Sequence, residues 1–137
     1  MSRRPAFWLA LVAGLVGAVG CGGSAGREAV SGTVQFRSQP LDQGTIEFHP
    51  QDAEAGGTFE GAPITNGRYD LPAKKGLLPG KYKVVISSSD AKAKEDPVPG
   101  ESGPPAKERI PAKYNTASAE VVEVKRGGPN VFDYDVK

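Results

Sequence analysis

The chain has 137 residues, 17 basic and 16 acidic side chains, a formal charge of +1, 18 glycines, 12 prolines and few aromatics. That length holds one domain, and so many turn formers between short apolar runs point to an all-β fold. A near-neutral balance leaves no basic field to draw a phosphate backbone, so nucleic acid is not an expected partner, and a single cysteine, Cys21, allows neither an internal disulfide nor a cysteine-based zinc site.

The first thirty residues carry an address. Arg3 and Arg4 precede an uncharged, mostly apolar run over residues 6–19 that includes Phe7, Trp8, Leu9, Leu11, Val12, Leu15 and Val16. This is the pattern of a secretory leader, and the run is shorter than the ~20 residues that a spanning helix needs. Ala18-Val19-Gly20-Cys21 resembles the lipobox of bacterial lipoproteins, with Ala18 where that family prefers Leu. The resemblance implies cleavage after residue 20 and a diacylglycerol on Cys21, with palmitate-type acyl chains contributing about 0.8 kcal/mol per buried methylene. Loss of Arg3 and Arg4 then brings the formal charge to about −1. Residues 21–28 are read as the lipidated cysteine and a flexible Gly-rich tether. Gly22 after the cysteine resembles an outer-membrane sorting pattern, so the expected location is the outer membrane or the periplasmic face of the inner membrane.

A single domain is expected over residues 29–137. Val30, Gly32, Val34 and Phe36 alternate with polar residues as a first strand, and Ile46 and Phe48 mark a second over 45–49; the two are expected as a hairpin-like pair. Asn66-Gly67 tolerates the positive φ of a type I′ turn and should join residues 59–64 to 68–71. Leu78-Pro79-Gly80 turns the chain into a strand where Tyr82, Val84 and Ile86 alternate with Lys81, Lys83 and Val85, read as the central strand of a small sandwich. Lys74, Lys75, Lys81 and Lys83 form a local basic cluster in the sequence, of the kind that solvated surfaces carry. Residues 119–124 and 131–136 supply the last two strands, the second with Phe132, Tyr134 and Val136 on one face and Asp133 and Asp135 on the other. Seven short antiparallel strands separated by turn signals read as an immunoglobulin-like or prealbumin-like β-sandwich.

Between the strands, residues 90–109 hold Pro97, Pro99, Pro104, Pro105, charges of both signs and Val98 as the sole large apolar side chain. A stretch of that length inside a compact domain is either mobile or functional. As a candidate interaction loop it offers Lys92, Lys94, Glu95, Asp96, Glu101 and Lys107. Ile110 and Tyr114 are expected to return the chain to the fold.

Taken in order, Val30-Ser31-Gly32-Thr33-Val34, Pro40-Leu41, Gly44-Thr45-Ile46, Asn66-Gly67-Arg68-Tyr69, Leu78-Pro79-Gly80-Lys81-Tyr82-Lys83-Val84, Ile110-Pro111-Ala112-Lys113-Tyr114-Asn115 and Asn130-Val131-Phe132-Asp133 resemble the small bacterial lipoproteins with a carboxypeptidase regulatory-like, transthyretin-like domain. The resemblance implies a prealbumin-like sandwich without catalytic residues, cofactor or metal, in an envelope role. A transthyretin-like hydrolase reading is poor, because the chain has one histidine, His49, and ends Tyr134-Asp135-Val136-Lys137. No nucleophile elbow surrounds Ser87-Ser88-Ser89, and no EF-hand-type loop appears, although Asp90, Glu95, Asp96 and Glu101 could weakly hold a cation. Two classes of function remain, a noncatalytic module contacting an envelope protein through a sheet edge or the 90–109 loop, and a carbohydrate-binding module. Against the second stands the scarcity of aromatics, most of which are expected to face the core.

Overall fold

The computed structural model describes residues 26–52, 59–90 and 106–137. The leader, Cys21 and most of the 90–109 segment therefore lie outside the described residues. Within them the protein is all-β, with no α-helix.

Each strand buries the residues that its alternation puts on one face. β1 (Val30–Phe36) buries Val30 and Val34, and after two residues the chain returns as the short β2 (Gln39–Pro40). β3 (Gln43–Pro50) buries Ile46 and Phe48, β4 (Glu60–Thr65) Ala62 and Ile64, and β5 (Arg68–Leu71) Tyr69 and Leu71. A single 3₁₀ turn (Ala73–Lys75) leads to β6 (Gly80–Ser87), which buries Tyr82, Val84 and Ile86 as its pattern requires. A second 3₁₀ turn (Ala112–Tyr114) precedes β7 (Val121–Val124), β8 (Asn130–Val131) and β9 (Tyr134–Val136). Ile110 is buried and Tyr114 packs against the core, returning the chain to the fold as expected.

Seven strands lie in the order β2-β1-β5-β4-β3-β6-β7 with every neighbouring pair antiparallel. The sheet curls into a half-barrel around one apolar core. Three expectations need correction. β1 and β3 do not pair with each other: β1 pairs β5, and β3 lies between β4 and β6. β6 is one place from the edge rather than central. The sheet is also not antiparallel throughout, because β8 and β9 pair β1 in parallel on its remaining side. Arg37 and Ser38 explain the first difference. Both adopt positive φ, 52° and 63°, and make a tight two-residue turn without Asn or Gly, so β1 folds back on β2 instead of running on to β3. Asn66 and Gly67, at φ 49° and 73°, make the expected hairpin turn.

The parallel seam on β1 rests on close backbone approach. A methyl group on Gly32 would sit 1.9 Å from the Phe132 carbonyl oxygen, so only glycine fits. Around that contact the Phe132 N–H donates to the Ser31 carbonyl at 2.9 Å and the Tyr69 hydroxyl to the Phe132 carbonyl at 2.8 Å. Asp133 stands in for the ladder where it breaks, its Oδ1 accepting from the Thr33 N–H at 2.7 Å and the Thr33 hydroxyl at 2.8 Å. Across the open side of the half-barrel, buried Asn130 bonds both the N–H and the carbonyl of Lys125, tying β8 to the end of β7 without a strand pair.

The alternating strand directions define two ends. The entering residues, the β3–β4 connection, the turn over 72–79 and the turn over 125–129 share one end. The turns at 37–38 and 66–67, the β6–β7 connection and Lys137 share the other. The entry is firmly held: Glu28 exchanges backbone hydrogen bonds with Leu77, and Arg27 donates to the Gly76 carbonyl at 2.7 Å and pairs with Glu60 at 3.1 Å. The tether expected through residue 28 therefore gives way to the fold by Arg27.

Gly32→Ala should destabilise the domain by about 3 kcal/mol or more, since the clash is with backbone. Urea denaturation checks this, and an unchanged midpoint would refute the seam. Burial pushes the Tyr69 and Tyr134 hydroxyls well above their ordinary value. Stability from keeping them neutral is complete below the unfolded value near pH 10 and is lost as pH rises above it. Tyr69→Phe should cost about 1 kcal/mol at neutral pH through the lost hydrogen bond, yet weaken the alkaline decline.

Candidate functional site

Of the six residues expected in the interaction loop, Lys92, Lys94, Glu95, Asp96 and Glu101 lie outside the described residues with Cys21. Lys107 is described and belongs to the loop's stem: its carbonyl accepts the Asp90 N–H at 2.9 Å, while its side chain is exposed. Ser89 and Glu108 form a further antiparallel bridge. Residues 107–109 thus pair back onto the end of β6, and the expected loop is shorter at its C-terminal side than the sequence suggested.

What fixes this base is a polar clamp around Ser88, which is only 3% exposed. Its hydroxyl donates to the Gln43 carbonyl and accepts from Arg109 Nη2, both at 2.6 Å. The same Arg109 nitrogen reaches Asp42 Oδ1 at 2.6 Å, and the Arg109 N–H donates to the Ser88 carbonyl at 2.8 Å. Glu108 Oε1 accepts two backbone donors, Ser88 N–H at 2.9 Å and Ile110 N–H at 2.8 Å. Asn115 closes the arrangement by donating to the Ile86 carbonyl at 2.8 Å. The hydrogen bond from Arg109 holds the Asp42 carboxyl below its ordinary value. The partner of Ser88 is a guanidinium that donates to it, so the pair holds a shape. Sequence reading missed the clamp because Asp42, Ser88 and Arg109 come from three separate stretches.

The convex face of the sheet carries a second grouping. Phe59, 61% exposed, stacks on His49 with ring centroids 5.3 Å apart and planes at 10°. His49 Nε2 in turn meets Glu47 Oε2 at 2.9 Å. In register, His49 lies beside Lys83 and Lys83 beside Val121, itself 53% exposed. Phe59 is therefore not a core residue, contrary to the general expectation for the aromatics. His49 sits half-exposed on its strand, as read from the sequence.

β7 ends the sheet. The Val84 N–H donates to the Glu120 carbonyl at 2.8 Å, so alternation turns the backbone groups of Val121 and Glu123 away from β6 toward the free edge. Among the described residues no three His, Cys, Asp or Glu side chains group as a metal site, and no helix is long and apolar enough to cross a membrane.

Comparison with protein-family models, with curated proteins and with solved structures gives no match for this chain.

Glu108→Ala should remove the acceptor of two amides and cost about 1–2 kcal/mol. Hydrogen exchange should accelerate at Ser88 and Ile110 while β3 and β4 stay protected. Uniform acceleration across the sheet would mean that the clamp belongs to the global core and does not act as a local base.

Proposed function

We propose that this chain is a noncatalytic envelope lipoprotein, anchored by lipid on Cys21, whose β-domain is a prealbumin-like sandwich acting as a protein-interaction or scaffolding module. The observation that carries the reading is the placement of the two ends. The chain enters at one end of the half-barrel, and the stems of the 90–109 segment leave from the other, held by the Ser88–Arg109–Glu108 clamp. A module tethered at the bilayer is served by this layout, which displays a contact segment away from the membrane on a stiff base. The free edge of β7, with Val121 exposed, offers strand addition as a second contact mode. That the buried Ser88 hydroxyl is spent on the Gln43 carbonyl and the Arg109 guanidinium supports a role without catalysis.

The test places a photo-crosslinking amino acid at position 107 or at position 74 of the full chain in intact envelope. A discrete protein adduct from 107, absent from 74 and lost when residues 92–106 are replaced by a Gly/Ser segment, is the expected result. Equal adducts from both positions, or none, would overturn the interaction reading. The intact mass of the membrane-extracted chain reports acylation of Cys21 independently.

The stacked pair of Phe59 and His49 favours a second reading, a carbohydrate-binding module, because an exposed aromatic face beside a carboxylate is a surface on which a sugar ring can lie. On that reading, retention of the protein on envelope polysaccharide should fall about tenfold with Phe59→Ala. Retention unchanged by this substitution would remove it.

A further inference from the structure

The basic cluster seen in the sequence is taken apart by the fold and rebuilt with other members. Lys81 and Lys83 lie on β6, Lys81 beside Glu123 and Lys83 beside His49 and Val121. Lys74 and Lys75 instead sit on the 3₁₀ turn at the end where the chain enters. The turn after β7 brings Lys125 and Arg126 to that same end. Gly127 donates its N–H to Glu28 Oε2 at 3.1 Å, a methyl on Gly26 would lie 3.8 Å from Arg126 Nη1, and Glu28 pairs with Leu77 just beyond Lys75. Entering backbone thus runs between the two basic turns.

Lys74, Lys75, Lys125 and Arg126 are all exposed and belong to none of the ion pairs among the described residues. Elsewhere in the fold some cations are engaged, Arg109 with Asp42, Lys137 with Asp135, Arg37 over the Phe36 ring and Lys113 over the Tyr114 ring, while Arg68, Lys81, Lys83 and Lys107 join none of these pairs. Three carboxylates at the entry end are themselves engaged. Glu28 accepts from Gly127, Glu60 pairs with Arg27, and Asp52 accepts the Lys81 N–H at 3.2 Å. Glu54, in the β3–β4 connection, lies outside the described residues. The groove beside the basic turns is lined by Asp52 and Glu123 as well as Lys81, Lys125 and Arg126, a mixed lining that suits a discrete phosphate poorly. Among the described residues this leaves an open rim of four cations outside any ion pair, which matches an extended anionic surface better than a pocket ligand.

We propose that this rim, Lys74, Lys75, Lys125 and Arg126, docks onto anionic phospholipid headgroups and sets the domain upright on the bilayer. The orientation rests on the lipidation of Cys21 proposed above. Gly26 is five residue steps from Cys21, a reach of at most about 18 Å, so an acyl anchor holds this end near the headgroup layer. The surface potential of an anionic leaflet falls off over about 8 Å at physiological salt, well inside that reach, so when the tether brings the domain to the surface it acts on the basic turns first.

The test uses the protein as extracted from membranes, reconstituted in vesicles of phosphatidylcholine alone or mixed with phosphatidylglycerol, and reads the acylation rate of each lysine by a water-soluble amine reagent. Slowing at Lys74, Lys75 and Lys125 by about threefold or more in the anionic vesicles is expected. Lys113 and Lys137 should be unchanged, and high salt should reverse the effect. Exchanging Lys74→Glu, Lys75→Glu, Lys125→Glu and Arg126→Glu together should abolish salt-sensitive association with anionic vesicles while leaving the urea midpoint within error. Equal rates in both vesicle types would overturn the proposal, as would the same slowing by inorganic phosphate without vesicles. If the intact mass shows no acyl chain, the lipidation reading fails separately. Cosedimentation of the wild-type and charge-exchanged proteins with the same vesicles then decides the rim.

Discussion

The half-barrel depends on β1 being paired along both sides. β5 and β2 pair with it antiparallel and β8 and β9 in parallel, and the second set is admitted only because Gly32 has no side chain where the Phe132 carbonyl arrives. Tyr69 and Asp133 then satisfy the groups that this irregular parallel approach would leave without partners. Removing the seam would leave one side of β1 unpaired and strip Val136 from the core. The close approach of two backbones thus carries more of the architecture than any single apolar contact.

Much of the fold was legible because strand faces are a local property. Tyr82, Val84 and Ile86, or Ile46 and Phe48, announce which way they point by alternation alone, and Asn66-Gly67 announces its turn. Pairing is not local. The expectation that β1 meets β3 failed at Arg37-Ser38, two residues with no turn signature held at positive φ. The parallel return of residues 130–136 to β1 had no sequence sign beyond Gly32. Phe59 escaped for another reason: in composition an aromatic reads as core, and only the sheet's register puts this one on the convex face beside His49. The clamp around Ser88 was illegible because its members are polar, scattered and individually ordinary.

The described structure divides labour between its ends. The polar clamp stiffens the end from which the 90–109 segment leaves, while the entry end is tied by Arg27, Glu28 and Leu77 and rimmed by unpaired cations. Neither arrangement needs a buried pocket. Asn130 plays the complementary part on the open side of the half-barrel, closing it with side-chain hydrogen bonds and leaving β7 free.

The parallel seam also orders events in time. Thr33 and Asp133, one hundred positions apart, must meet before β1 is complete. Contacts of such separation are slow to form, because a long loop must close before they reward the chain. A chain threaded outward from its N-terminus would carry β1 with one edge unpaired until residues 130–136 emerged. Over that interval the strand is open to a wrong partner, so holding the nascent chain apart from its neighbours matters most for this domain in the last moments of its synthesis.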